Sequence, residues 1–231
     1  GFYDLGATWS YTIDPFNKVN VYGYYSHDRF EFNENEKYAY SNMNASVNWR
    51  AIFNEKITAN FAAGYDHYDY MNDESVDIVA AARLKFAINQ IYAKANFDHQ
   101  LGNGHTLNYG LSSMFYDLKP GIYEPLLEES TIQRKELQKE KALESALYIG
   151  DQWEISPKLS VDAGVRLSIF NALGARTYYN YANGELPSLT NLTDTATVGS
   201  GKILKTYMGP EIRLSARYAF SDDWSVKAGF N

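Results

Sequence analysis

Cysteine is absent from the 231 residues, which excludes disulfides, thiolate metal sites and a cysteine nucleophile. Long apolar runs are absent too: no stretch of about 18 apolar residues occurs, so no helix is predicted to cross a bilayer. Basic residues are the minority, 21 Lys and Arg against 28 Asp and Glu, for a net charge of -7. The positive footprint of a nucleic-acid-binding protein is missing, and no nucleic-acid partner is expected. The opening residues, G-F-Y-D-L-G-A-T-W, lack the charged and apolar regions of a signal peptide. Histidine is sparse, and His27, His67, His99 and His105 show no zinc-ligand spacing, so neither a metal nor a cofactor is expected. Gly102-Asn103-Gly104 reads as a turn rather than a phosphate loop, because no helix follows it.

What the chain does have is alternation. In residues 158–170 the odd positions Leu159, Val161, Ala163, Val165, Leu167 and Ile169 are apolar, while Ser160, Asp162, Gly164, Arg166 and Ser168 between them are small or polar. That period of two marks a strand with unlike faces. Residues 57–65 repeat it, with Ile57, Phe61 and Tyr65 set against Thr58, Asn60 and Gly64. So do 42–53 and 211–220. The pattern predicts about ten strands, at 5–13, 19–32, 40–53, 57–70, 76–101, 106–117, 143–155, 159–170, 207–220 and 224–231. One strand changes phase, from even Leu84, Phe86 and Ile88 to odd Ile91, Ala93, Ala95 and Phe97; a bulge near Asn89-Gln90 would keep both groups on one face. Asp151 falls in phase with Leu147, Ile149 and Trp153 and is a misfit on an apolar face.

The connections alternate as well. Those at 14–18, 54–56, 102–105, 156–158 and 221–223 are short, whereas 118–142 and 171–206 are long. In an up-and-down sheet this puts the tight turns at one end and the long loops at the other, the asymmetry of outer-membrane barrels. Strands of about a dozen residues exceed the five or six usual in soluble domains and suffice for a tilted membrane crossing of about 9–11. Trp9, Trp49, Trp153 and Trp224 each lie near a short turn, where an interfacial aromatic girdle belongs. The expected fold is therefore all-β, an antiparallel up-and-down transmembrane β-barrel, with the odd face of 159–169 on lipid and the even face on a polar lumen. A soluble β-sandwich has no comparable reason to sort its loops by end.

Residues 142–166, A-L-E-S-A-L-Y-I-G-D-Q-W-E-I-S-P-K-L-S-V-D-A-G-V-R, resemble a late hairpin of TonB-dependent outer-membrane receptors. There a Tyr-x-x-Asp-x-Trp strand, a short turn and a Gly-x-Arg strand follow one another, positions held here by Tyr148, Asp151, Trp153, Gly164 and Arg166. Residues 209–231 resemble the next hairpin and 44–60 an earlier one, with a flavour of receptors from Bacteroidota. The resemblance implies that residues 1–231 are a partial barrel domain, an internal piece of a barrel of about 22 strands whose plug and remaining strands lie elsewhere. It implies a transporter in the outer membrane of a Gram-negative bacterium, importing a scarce ligand such as a siderophore, vitamin, glycan or peptide. Its partners would be the lipid bilayer and lipopolysaccharide, its own plug domain and TonB, with a surface lipoprotein as a further candidate. The alternative is a smaller non-TonB barrel, either a passive channel or a rim-located hydrolase.

Candidate site residues follow from placement. In the long connection 171–206, Arg176, Tyr178, Tyr179 and Tyr181 form a cationic and aromatic cluster suited to stacking on a ligand, or simply a tyrosine-rich rim. Asp162, Arg166, Glu211, Arg213 and Arg217 are expected on the lumen or plug-facing wall, with Asp162 and Glu211 as cross-strand partners of the arginines. The charged stretch 124–144 is read as an exposed helix or solvated face. Asp66-His67-Tyr68-Asp69 is the best acid-base constellation, but alternation turns Asp66 away from His67 and Asp69, so no catalytic residue is assigned.

Overall fold

The structure, a computed structural model, describes every residue except Asn183, Glu185 and Asn231. Its strands are β1 (Phe2–Asp14), β2 (Asn17–Asn33), β3 (Glu36–Ile52), β4 (Ile57–Glu74), β5 (Ala82–Gly102), β6 (His105–Pro125), β7 (Lys135–Glu136), β8 (Glu140–Ser156), β9 (Leu159–Leu173), β10 (Arg176–Tyr181), β11 (Leu192–Val198), β12 (Ile203–Ala219) and β13 (Ser225–Phe230). One antiparallel sheet runs β1-β2-β3-β4-β5-β6-β8-β9-β12-β13, with β7 added to β6, while β10 and β11 pair only with each other. Each main strand bonds to its neighbour in sequence, so the sheet is up-and-down as expected. Among the described residues β1 and β13 end the sheet without pairing to one another, which leaves an open wall of a partial barrel.

Five tight turns lie at one end of this wall. Gly102, Asn103 and Gly104 turn β5 into β6 with φ of 89°, 54° and 81°, a left-handed run that glycine and asparagine adopt most readily. The opposite end carries 75–81, 126–139 and 174–202, together with one tight turn at 34–35. β5 and β6 reach 21 residues each, about twice what a crossing needs. They overshoot toward the end with the long connections.

Three expectations change. β5 begins at Ala82, not 76, because Asp77 accepts a bond from Val79 N at 3.0 Å and sets a short 3-10 turn at Ile78–Ala80. No bulge interrupts Asn89-Gln90, since β4 and β5 pair continuously from Ile57↔His99 to Glu74↔Ala82. The irregularity is instead between Lys85↔Ile122 and Ala87↔Lys119, where Pro120 of β6 cannot donate to a ladder. Leu84, Phe86 and Ile88 therefore face away from Ile91, Ala93 and Phe97. Finally, 124–144 forms no helix. β6 runs to Pro125 and β7 adds to it through Ile122↔Glu136 and Tyr123↔Lys135, because a sheet edge offers ladder bonds that a short isolated helix in water does not match.

Cross-strand partners share a face, and the registers assemble one broad apolar belt. Val47, Phe61, Ala95, Tyr109, Ile149, Val165 and Ile212 all lie on it. None of the described residues covers it: Leu147 is 58% and Ile212 60% exposed, and the only buried apolar residues among those described are seven alanines. An apolar sheet face of this extent requires an apolar medium. Toward the tight turns the belt ends in rings. Trp49 stacks on Phe61 at 5.0 Å, Phe97 stacks on Tyr109 at 5.2 Å, and Trp9 stacks on Tyr11 at 5.6 Å. Trp49 Nε1 donates to Asn17 Oδ1 at the start of β2 at 3.1 Å. Trp224 sits in the last turn, 75% exposed.

Asp151 is the polar intruder in this belt, and the structure supplies its partner. His105 Nδ1 bonds Asp151 Oδ2 at 2.6 Å while its ring stacks on Trp153 at 4.9 Å. Asp151 Oδ1 is buried with no partner among the described residues, so the histidine is what satisfies this carboxylate. Replacing His105 by Ala in the full-length protein is expected to lower stability by about 1–2 kcal/mol in urea unfolding, because it strands the carboxylate. Adding Asp151→Leu should recover most of that loss; equal losses in the single and double variants would show the pair to be incidental.

Candidate functional site

The face opposite the belt divides into two zones. The first lies on β8, β9 and β12 and holds the charged residues expected on the inner wall. Arg166 is in register with Tyr148 and Glu211, Gly164 with Arg213, Asp162 with Ser215, and Ser160 with Arg217. Arg166 and Arg213 each approach Glu211 at 3.8 Å. Arg166 also donates to Ser168 Oγ at 3.2 Å. Asp162 instead accepts from Ser215 at 3.1 Å, so Glu211 alone takes the carboxylate role expected of both. The five residues share one face, in two groups along the strands. A tyrosine braces this wall at a backbone contact: a Cβ on Gly110 of β6 would meet the Tyr148 hydroxyl at 2.5 Å and its Cζ at 2.8 Å, so Tyr148 of β8 covers the glycine of the next strand.

The second zone was not anticipated. Above the level where the belt stops, near Tyr25, Met43, Tyr65 and Ile91, the polar face of β2 to β6 turns aromatic. Phe30 stacks on Tyr38 at 4.9 Å, and Phe86 stacks on Tyr70 at 4.8 Å with Tyr68 at 5.8 Å. Between the rings lie oxygen and amide groups. Tyr40 donates to Asp28 Oδ2 at 2.7 Å, Asn42 donates to Ser26 at 3.3 Å, and Asn44 donates to Asp66. The registers set Tyr24, Asn44, Asp66, Gln90 and Tyr116 in one row, and Asp28, Tyr40, Tyr70 and Phe86 in another. The sequence signal was there in phase: Tyr24, Tyr40, Tyr68, Tyr70 and Phe86 are all even, like the polar residues of their strands.

On the other side of the same segments the belt gives way to charge. Asp73, 8% exposed, receives Arg83 in a two-point clamp at 2.5 and 2.6 Å, and this bond raises the guanidinium pKa further. Lys85 bonds Glu124 at 2.6 Å, with Arg134 at 3.5 Å from the same carboxylate. The Lys85 bond holds the Glu124 carboxyl below the usual range, against the opposing effect of burial and with help from the nearby cationic charges. His67 reaches Asn89 at 2.7 Å and Asp69 at 3.1 Å, whereas Asp66 lies on the opposite face with Asn44. These residues make a polar rim rather than one compact acid-base site.

The loop cluster is a hairpin. Arg176, Tyr178, Tyr179 and Tyr181 lie on β10, so alternation puts Arg176 and Tyr178 on one side and Tyr179 and Tyr181 on the other. Arg176 is held by Glu140 of β8 at 3.0 Å. Tyr178 and Tyr179 are 41% and 51% exposed.

A family model described as TonB dependent receptor-like, beta-barrel, matches residues 1–231. No curated protein sequence matches the chain. Among solved structures, the copper transporter OprC superimposes with a TM-score of 0.71 at 8% identity, over 96% of this chain and 35% of that one. BauA, the ferric preacinetobactin receptor from Acinetobacter baumannii, gives 0.66 at 12% identity, over 99% and 38%. The Serratia marcescens hemophore receptor HasR, in complex with its hemophore HasA and heme, gives 0.62 at 13% identity, over 99% and 35%. The chain thus spans well under half the length of these receptors, and likeness at such identities speaks for the fold.

The Lys85–Glu124 clamp makes the 126–139 connection sensitive to acid. A carboxylate with a lowered folded pKa contributes stability above its ordinary value, about 4.3 for glutamate, and loses it as pH falls through the folded value. Pepsin cleavage within 126–139 of the folded full-length protein is expected to rise across that window. The change should be under about 1 kcal/mol, as for a solvent-screened pair. Lys85→Met should shift the rise to higher pH; an unshifted profile would contradict the assignment.

Proposed function

Because the chain belongs to the TonB dependent receptor-like β-barrel family, we propose that it forms wall and external loops of a transporter that binds a scarce ligand and imports it with energy relayed by TonB. The observation that carries this is the whole-chain family match on an open up-and-down sheet whose long connections gather at one end. The protein sits in the outer membrane of a Gram-negative bacterium, with its apolar belt on lipid. The ring-lined end near Trp9, Trp49, Trp153 and Trp224 meets the periplasmic interface, and the charged rim at the other end meets lipopolysaccharide.

In this reading Asp162, Arg166, Glu211, Arg213 and Arg217 face a plug domain inside the barrel, where paired charges and hydroxyls suit a polar protein surface. Arg176, Tyr178, Tyr179 and Tyr181 project on a hairpin at the external end, available to an incoming ligand or to a surface lipoprotein partner. The copper, ferric preacinetobactin and hemophore specificities named for the similar structures support ligand import as the role and leave the cargo to the wall's own chemistry. Wall-forming and binding roles account for the residues described, without a catalytic step. A passive channel is the weaker reading, because closed barrels of this size are plugged in transporters.

Planar-bilayer recording of the native full-length protein separates the two. A plugged receptor is expected to show no steady conductance until the segment that fills the barrel is deleted, and discrete steps thereafter. Steady conductance of the intact protein would overturn the receptor reading.

A further inference from the structure

We propose that the aromatic zone on β2 to β6 binds an uncharged oligosaccharide rather than an anionic metal chelate. The proposal rests on the receptor reading above and names the ligand class of its vestibule wall. Three observations meet there.

The first is the distribution of charge. Across the five rows running from Phe30–Tyr38–Asn72–Leu84–Tyr123 down to Tyr22–Ser46–Gly64–Tyr92–Met114, no inward-facing position is lysine, arginine or histidine. At the same height Arg29, Lys37, Arg83, Lys85 and Lys119 all point to the other side of the sheet. The inward ionisable groups there include Asp28 and Asp66, and the one cation at the edge of the zone, Lys94 of the next row, has its ammonium over the Tyr92 ring at 5.1 Å, so an anionic ligand would meet carboxylates along the rings and a single countercharge at their lower margin. A cationic site would have been easy to build from these strands, since the cations are one residue out of phase with the wall.

The second is ring geometry. Tyr68, Tyr70 and Phe86 form a contiguous platform, and Phe30 with Tyr38 forms another. Such faces are apolar with a partial negative charge, and they stack on the C–H faces of sugar rings as they do on other electropositive edges. The third is what stands between the platforms. Asp28, Asn42, Asn44, Asp66 and Gln90 bring carboxylate and amide groups to the same surface, the acceptors and donors that a hydroxyl-bearing ligand satisfies along its edges. Rings and amides repeated over five neighbouring strands suit a repeated ligand better than a compact one.

The test uses the full-length receptor in detergent. A panel of neutral oligosaccharides from plant and microbial glucans, mannans and xylans is screened on an array, with ferric citrate and a ferric catecholate as anionic probes, and hits are measured by calorimetry. The expected result is saturable binding of at least one neutral oligosaccharide and none of the ferric chelates. Tyr70→Ala and Tyr68→Ala should each weaken binding by about tenfold or more, while Tyr70→Phe, which keeps the ring, should stay within about threefold. Heat-modifiable migration in electrophoresis confirms that each variant retains its barrel. Binding of a ferric chelate without any glycan would overturn the proposal and leave the receptor reading standing, and so would binding of neither class. Failure of the receptor reading itself shows separately, as steady conductance of the intact protein.

Discussion

The structure depends on the inter-strand backbone ladder. In a bilayer every N–H and C=O must find a partner within the protein, and here the main strands meet that demand with their neighbours through antiparallel registers that run almost unbroken from one turn to the next, leaving open the outer edges of β1 and β13. Because the ladder needs no help from side chains, both faces are free to be specialised. With a period of two, one strand serves a lipid face and an aqueous face at once. That explains the lack of a packed core among the described residues, where alanines are the only apolar residues to be buried.

Much of this was legible in the residues. Strict alternation at 159–169 and 57–65 identified strands and faces, and the sorting of short and long connections identified an up-and-down barrel before any register was known. The hairpin likeness at Tyr148, Asp151, Trp153, Gly164 and Arg166 pointed to the family. What was not legible depends on partners distant in sequence. Asp151 looked misplaced because its partner, His105, is 46 residues away. The bulge was misplaced because apolar Leu84, Phe86 and Ile88 were assumed to share the belt with Ile91, whereas the registers put them opposite. The charged stretch before Ala142 suggested a helix, because local composition does not reveal that the edge of β6 is open to receive β7.

That second miss bears on function. The change of phase in β5 is not a defect to be absorbed by a bulge; it marks the height at which the two faces exchange character. Below it, apolar residues face outward and polar ones inward. Above it, ion pairs such as Arg83–Asp73 face outward and rings such as Phe86 and Tyr70 face inward. The same ladder thus carries a lipid-facing belt and a ring-lined vestibule on consecutive segments of one strand. Loop residues such as Arg176 and Tyr178 attract attention in the sequence, yet the strands themselves carry the larger aromatic surface.

The most direct test of this account is the medium around each residue of β4. The chain contains no cysteine, so single cysteines placed along 57–73 in the full-length protein, carrying a fluorophore and reconstituted in liposomes, can be read by lipid-attached and aqueous quenchers. The account expects lipid quenching at odd positions 57–65 only, aqueous quenching at odd positions 67–73, and no lipid quenching at 68 or 70. Lipid quenching at 68 and 70, or its continuation through 69 and 73, would contradict the exchange of faces on which both the barrel and its vestibule depend.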